Sequence, residues 1–347
     1  MHQARFATIV IAAAAASSPA LATAVPSLRT DLGFTQHWSG NGLLVGGAAT
    51  QRVWGVHADG GTVYATGDAG LNYSTNGGAT WSYYENDSFR YQAGKVFASG
   101  SSIYTATFLG VRYSQDGGAS WNTANYSNGL YTGGGVWDVW SSGSTVYAAM
   151  EYGIAISNDG GASWTSRFIE RLGGGGVTGV RDVRAHGGKI YASSSLGLCT
   201  SSDGGITWQI RSLGQYSGVN GIFASDDALY VGSGNGLSVS TDGGSTWSTV
   251  WTPPSGTFGS EVHSVVRVGD TIYGSYGSQG RGGTFISVNG GTTFTRYSES
   301  AYTVFADESN AYFAGGQMLL IGSAVPAPGA LALLGVAGLA SSRRRRA

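Results

Sequence analysis

SNDGGASW, from Ser157 to Trp164, is a strand end, a turn and a strand start in eight residues. Asp-Gly-Gly between apolar runs makes a hairpin connection, because glycine supplies positive φ and the aspartate side chain accepts backbone hydrogen bonds. The pattern Ser-x-Asx-x-Gly-x-x-Trp/Phe recurs as STNGGATW from Ser74, SQDGGASW from Ser114, SSDGGITW from Ser201, STDGGSTW from Ser240 and SVNGGTTF from Ser287. Asn76, Asp116, Asp159, Asp203, Asp242 and Asn289 are therefore read as structural turn residues. The aromatic that follows opens an outer strand, where its ring can cover the gap to a neighbouring unit.

Ten to fourteen residues before each turn stands a tyrosine behind a small or aliphatic residue: Tyr64, Tyr104, Tyr147, Tyr191, Tyr230 and Tyr273, with Tyr312 as a seventh. The steps are 40, 43, 44, 39, 43 and 39 residues, the period of four-stranded propeller blades. Each unit reads as an inner strand (VWGVHA from Val53, VWDVWS from Val136, VRDVRA from Val180), a second strand with the tyrosine, a third ending in the turn serine, and a fourth opening with the aromatic. Residues 302 to 322 supply three strands and no turn motif, whereas FTQHWS, from Phe34 to Ser39, reads as an orphan outer strand with Trp38 in the aromatic place. The expected fold is all-β: a single seven-bladed β-propeller of four-stranded blades whose last blade is completed by an N-terminal strand, closing the ring and removing free edges. Composition agrees, with 59 glycines, 12% aromatic and 11% charged residues.

Over roughly residues 30 to 322 the six turns resemble the Asp-box (BNR) repeat of sialidase-like propellers. That resemblance brings three function classes into view. A sialidase-like enzyme would need an R-I-P element near the start, which the chain does not contain. Xyloglucan-cleaving hydrolases carry a similar repeat but place paired carboxylates across a cleft between two propellers, and this chain has room for one. Photosystem-associated assembly propellers share the repeat as well.

Both ends carry sorting information. Arg5, the apolar run from Phe6 to Ala16 and Ala20-Leu21-Ala22 read as a signal peptide over residues 1–22, handing an exported chain to signal peptidase. The segment 325–347 carries Pro326 and Pro328, an apolar stretch from Gly329 to Ala340, and Arg343, Arg344, Arg345 and Arg346. It resembles a PEP-CTERM sorting signal, the tail processed by exosortase, with Ala327 where that family usually has glutamate. At 1.5 Å per helical residue, Gly329 to Ser342 spans about 21 Å, short of the roughly 30 Å hydrocarbon core. A transient membrane association, ended when the tail is removed, is the expectation. Residues 23–324 form the propeller.

Without Arg5 and Arg343 to Arg346, the 19 basic residues fall to 14 against 20 acidic ones, a net charge of about −6. Nucleic acid is a poor partner for such a body. The lone cysteine, Cys199, sits in apolar LGLCTSS and reads as a buried structural thiol. No metal or cofactor is expected, since His37, His57, His186 and His263 are scattered without ligand spacing. Acidic residues of the turns lie on different blades and cannot converge, so no catalytic residue is assigned.

One constellation can converge, at the start of the inner strands around the channel: Trp54, Trp137, Asp138, Arg181, Asp182, Asn220 and His263. Aromatic faces with charged and amide groups suit a sugar ring; the bland alternative is that the charges pair across the channel and the tryptophans fill it. The sequence therefore predicts an exported, exosortase-processed surface or matrix propeller, non-catalytic, that binds glycan or a secreted protein through its channel face. A divergent glycoside hydrolase and an assembly factor of the photosystem-associated type are the alternatives.

Overall fold

The computed structural model describes residues 25–37, 52–84, 93–170, 178–213, 218–254, 261–278 and 281–325, apart from positions 69, 132, 134 and 317. The N-terminal segment through residue 24, Trp38, and the tail from Pro326, including Pro328 and the four arginines, lie outside the described residues. Seven antiparallel four-stranded sheets form a ring, a β-propeller with seven blades. Six blades run in chain order; blade 1, for example, pairs Val53–Asp59, Thr62–Gly67, Gly70–Ser74 and Ser82–Tyr83 from the axis outward. The seventh has Thr303–Ala306, Asn310–Gly315 and Met318–Ser323, and takes its outer strand, Thr35–His37, from the start of the chain.

That outer strand is in register, Thr35 opposite Ile321 and His37 opposite Leu319. In blade 3 the equivalent pair is Thr165 opposite Ile156, with Trp164 one residue earlier. The aromatic place in blade 7 is thus held by Phe34, not by Trp38. Its ring packs edge-on to Phe313 at 5.5 Å, and a Cβ on Gly322, which stands where other blades have the turn serine, would run into it.

The core is a ring of seams. Among the described residues, seven apolar clusters each straddle two neighbouring blades. The periodic tyrosine of one blade faces the next: Tyr104 joins Val136 and Val146 of blade 3, and Tyr312 joins Val53 and Val63 of blade 1. The turn aromatic faces backward: Trp164 lies with Tyr104 and Tyr113 of blade 2, and Phe34 with Tyr273 and Tyr297 of blade 6. One repeat therefore supplies both halves of each seam, which is why it sets the period. Cys199 is buried in the seam between blades 3 and 4, and burial pushes its thiol up to about 11, as expected of a structural residue.

The six turns are hydrogen-bonded as the residue types require. In blade 3, Ser157 Oγ donates to Asp159 Oδ1 and accepts from the Gly161 amide, both at 2.8 Å, while Asp159 accepts from the Ser163 hydroxyl and amide. Trp164 Nε1 donates to the Gly161 carbonyl at 2.8 Å. Gly160 and Gly161 have φ of 71° and 102°, a region L side chains enter only under strain. Hydroxyl and amide donors hold the Asp116, Asp159 and Asp203 carboxyls down to about 2, and Asp242 lower still.

Candidate functional site in the channel

The axis is built from one short pattern read in seven versions: VWGV from Val53, AGKV from Ala93, VWDV from Val136, VRDV from Val180, VNGI from Val219, VHSV from Val262 and AYTV from Ala301. Fourth-position residues such as Val56, Val139, Val183 and Val265 are buried in the seams. In a regular strand, second and third residues would point to opposite faces. In blades 1 to 6 the pairing shifts register within the first four residues of the inner strand. Such a bulge re-aims side chains, and here both positions serve the channel, at different heights.

Second positions form the mouth where the inner strands begin. A cavity of about 620 Å³ is lined there by Trp54, Arg181, Asn220, His263 and Tyr302, with Lys95 below and Glu261 beside them. Four of the seven predicted residues, Trp54, Arg181, Asn220 and His263, are brought together in it. Trp54 is fixed by an Nε1 hydrogen bond of 2.7 Å to Asp68 and by stacking on Tyr302 at 5.4 Å, with the Arg52 guanidinium 5.2 Å from its ring centre. Asn220 donates to Glu261 at 3.0 Å, and His263 donates from Nε2 to the Gly277 carbonyl. Trp137 faces an adjoining hollow of about 230 Å³ with Glu151 and Tyr152, sharing Arg181 and Ser195 with the main cavity. Trp137 is 40% exposed, with the Arg181 guanidinium 5.9 Å from its ring centre.

Asp138 and Asp182 are not among the residues lining that cavity. They hold third positions and form a waist below it, 1% and 2% exposed. Arg184 Nη1 lies 2.8 Å from Asp138 and 2.7 Å from Asp182, and Lys95 Nζ lies 3.6 Å and 3.3 Å from the same pair. The Arg184 approach to Asp182 Oδ1 is an ionic contact without the direction of a hydrogen bond. An inner strand has a free edge toward the channel, so its amides need acceptors. Asp138 Oδ2 takes the Val183 amide of the next blade at 3.2 Å, Asp182 Oδ2 takes that of Ile222 at 3.0 Å, and Ser264 Oγ takes that of Val304 at 3.1 Å. Burial favours the protonated form of both carboxyls. At Asp138 the two cations outweigh it and hold the carboxyl below its ordinary range, whereas at Asp182 burial, reinforced by the neighbouring Asp138 carboxylate, prevails and raises it. The charge-pairing alternative describes these two residues.

Sequence reasoning passed over Lys95, Glu261 and Tyr302. Laying AGKV and AYTV under VWDV would have placed Lys95 beside Asp138 and Tyr302 beside Trp54; Glu261, one residue ahead of its strand, carries no comparable signal. Among the described residues, no group of three or more His, Cys, Asp or Glu side chains could hold a metal ion.

No family model matches the chain, and no curated protein matches it in sequence. Solved structures do. The structure titled YCF48 bound to D1 peptide superposes with a TM-score of 0.66 at 17% identity, covering 87% of this chain and 98% of that one. YCF48 from Cyanidioschyzon merolae gives 0.62 at 16%, with 80% and 97% covered. The GH74 xyloglucanase from Xanthomonas campestris gives 0.58 at 16%, with 83% of this chain but 53% of the enzyme covered. At such identities the likeness shows the propeller fold.

Proposed function

We propose that this chain is an exported Asp-box propeller that binds a glycan at the mouth where its inner strands begin, without transforming it. One observation carries the reading: second positions of five blades, far apart in sequence, converge on one open cavity lined by aromatic, cationic, amide and carboxylate groups. Sugar rings call for that mixture, apolar faces for stacking and directional donors and acceptors for hydroxyls. The exposed Trp137 ring beside the cavity offers a stacking face, and Arg181 links the two hollows. Export and exosortase processing rest on the N-terminal segment and the Pro326–Arg346 tail.

A glycan array probed with residues 23–324 tests the reading. Trp137→Ala should weaken binding of a hit by about 1–3 kcal/mol, the range of an aromatic stack, and Arg181→Ala should weaken it without changing the melting temperature. Wild-type affinity in both variants would move the site elsewhere. The hydrolase rival has one specific foothold, the Glu261 carboxylate at the cavity. Reducing ends released by the wild type and not by Glu261→Gln would favour it.

A further inference from the structure

The opposite mouth has a different chemistry, set by the fifth residue of each inner strand. Around the ring these residues are Phe305, His57, Phe97, Trp140, Arg184, Phe223 and Val266, each only partly buried. His57 packs against Phe305 at 4.4 Å and Phe97 at 4.8 Å, and Phe97 against Trp140 at 5.9 Å, so four blades contribute a continuous aromatic wall. His57 belongs to that wall as a neutral ring: its Nε2 donates to the Ala98 carbonyl, and burial lowers its pKa to about 4. The wall encloses a cavity of about 380 Å³, within the range of small-molecule sites.

Arg184 and Lys95 are the cations lining this bowl, with the Asp138 carboxylate between them, and Arg184 is the one that presents a fork. Nη1 is engaged by Asp138, Asp182 and the Val183 carbonyl, whereas Nε and Nη2 make no hydrogen bond among the described residues and a quarter of the side chain remains exposed. A guanidinium edge with open N–H groups matches a planar carboxylate, and the tilted rings of the wall turn faces and edges toward a cavity that can hold one more ring. We propose that this mouth is a binding site for an aromatic carboxylate, its ring against the His57, Phe97, Trp140 and Phe305 wall and its carboxylate on the open N–H groups of Arg184. The site does not rest on the glycan reading: the Lys95–Asp138–Asp182–Arg184 waist lies between the two mouths, whose linings share Lys95 alone.

Isothermal titration of the propeller with 2-naphthoate, 2-naphthamide and acetate tests it. The acid should bind one per chain, the isosteric amide about tenfold or more weaker, and acetate, lacking the ring, far more weakly than either. Val266→Glu, which puts a like charge into the bowl, should abolish naphthoate binding, and Arg184→Lys, which keeps the waist charge but not the fork, should weaken it. Arg181→Ala at the other mouth should leave it unchanged. A peptide ending in a free phenylalanine carboxylate, against its amidated form, tells whether the bowl accepts a chain end or only a free acid. Naphthoate failing to bind, amide and acid binding alike, or Val266→Glu binding like the wild type would each overturn the proposal.

Discussion

The periphery and the axis of this propeller are made by the same seven units under opposite rules. At the periphery six blades repeat one hydrogen-bonded turn almost atom for atom: an Asp or Asn accepts from the amide four residues on, and the hydroxyl there donates to the four Asp and accepts from the side-chain amide of Asn76 and Asn289. At the axis equivalent positions hold six residue types in seven blades: Trp54, Gly94, Trp137, Arg181, Asn220, His263 and Tyr302 occupy one height. A turn has one job wherever it occurs, so its residues repeat. The channel is a single place to which each blade contributes one wall, so its chemistry comes from the differences. Repetition here builds the scaffold, and departure from repetition builds the sites.

The largest effect should come from breaking the periphery at its one irregular unit. A chain beginning after His37 loses Thr35–His37, the Phe34 ring, and Leu28, whose amide donates to Glu299 at 2.9 Å. The third strand of blade 7 then becomes a free edge and one seam loses its aromatic. Cooperative urea unfolding should be lost, or the protein should aggregate on size-exclusion chromatography. Unchanged melting would show that the ring closes without the latch.

At the axis the sharpest break is Arg184→Ala, which leaves Asp138 and Asp182 buried with Lys95 as their cation. Removing one partner from a buried ionic network costs about 3–5 kcal/mol, to be read from the urea midpoint at pH 7. A shift comparable to that of an exposed surface substitution would mean that the waist is decoration.

The smallest effect separates periphery and axis by pH. Turn carboxyls held near 2 contribute stability above their unfolded pKa, and that contribution is lost as pH falls from about 4 toward 2. Asp182, raised by burial and by the Asp138 carboxylate, acts with the opposite sign: the folded state keeps its proton longer, so stability declines as pH rises above its ordinary value of about 4. His37 and His57, lowered by burial, oppose it, because the unfolded chain takes up their protons first and stability rises with pH over nearly the same window. Denaturation midpoints should therefore rise more steeply between about pH 4 and 6.5 in Asp182→Asn than in the wild type. Parallel profiles for the two proteins would refute the raised carboxyl at the waist.

What the sequence determined by itself was everything that repeats. Tyrosine spacing, the Ser-x-Asx-x-Gly turns, the strand order within a blade and the N-terminal strand completing blade 7 are local patterns, and local sterics and hydrogen bonding suffice to read them. Even the one misplacement there, Trp38 for Phe34, was a shift along a single strand, decided by the register against Ile321 rather than by residue type. The axis was legible only in part. Trp54, Arg181, Asn220 and His263 share a cavity as their alignment implied, but Asp138 and Asp182, one residue beyond Trp137 and Arg181, sit a layer lower between Lys95 and Arg184. That difference depends on a bulge within the inner strands of blades 1 to 6 and on what the other blades bring to the same axis, neither of which is written in any single repeat. Only the closed ring sets Lys95 beside Asp182, and gives the channel a polar mouth, an ionic waist and an aromatic mouth within five residues of strand.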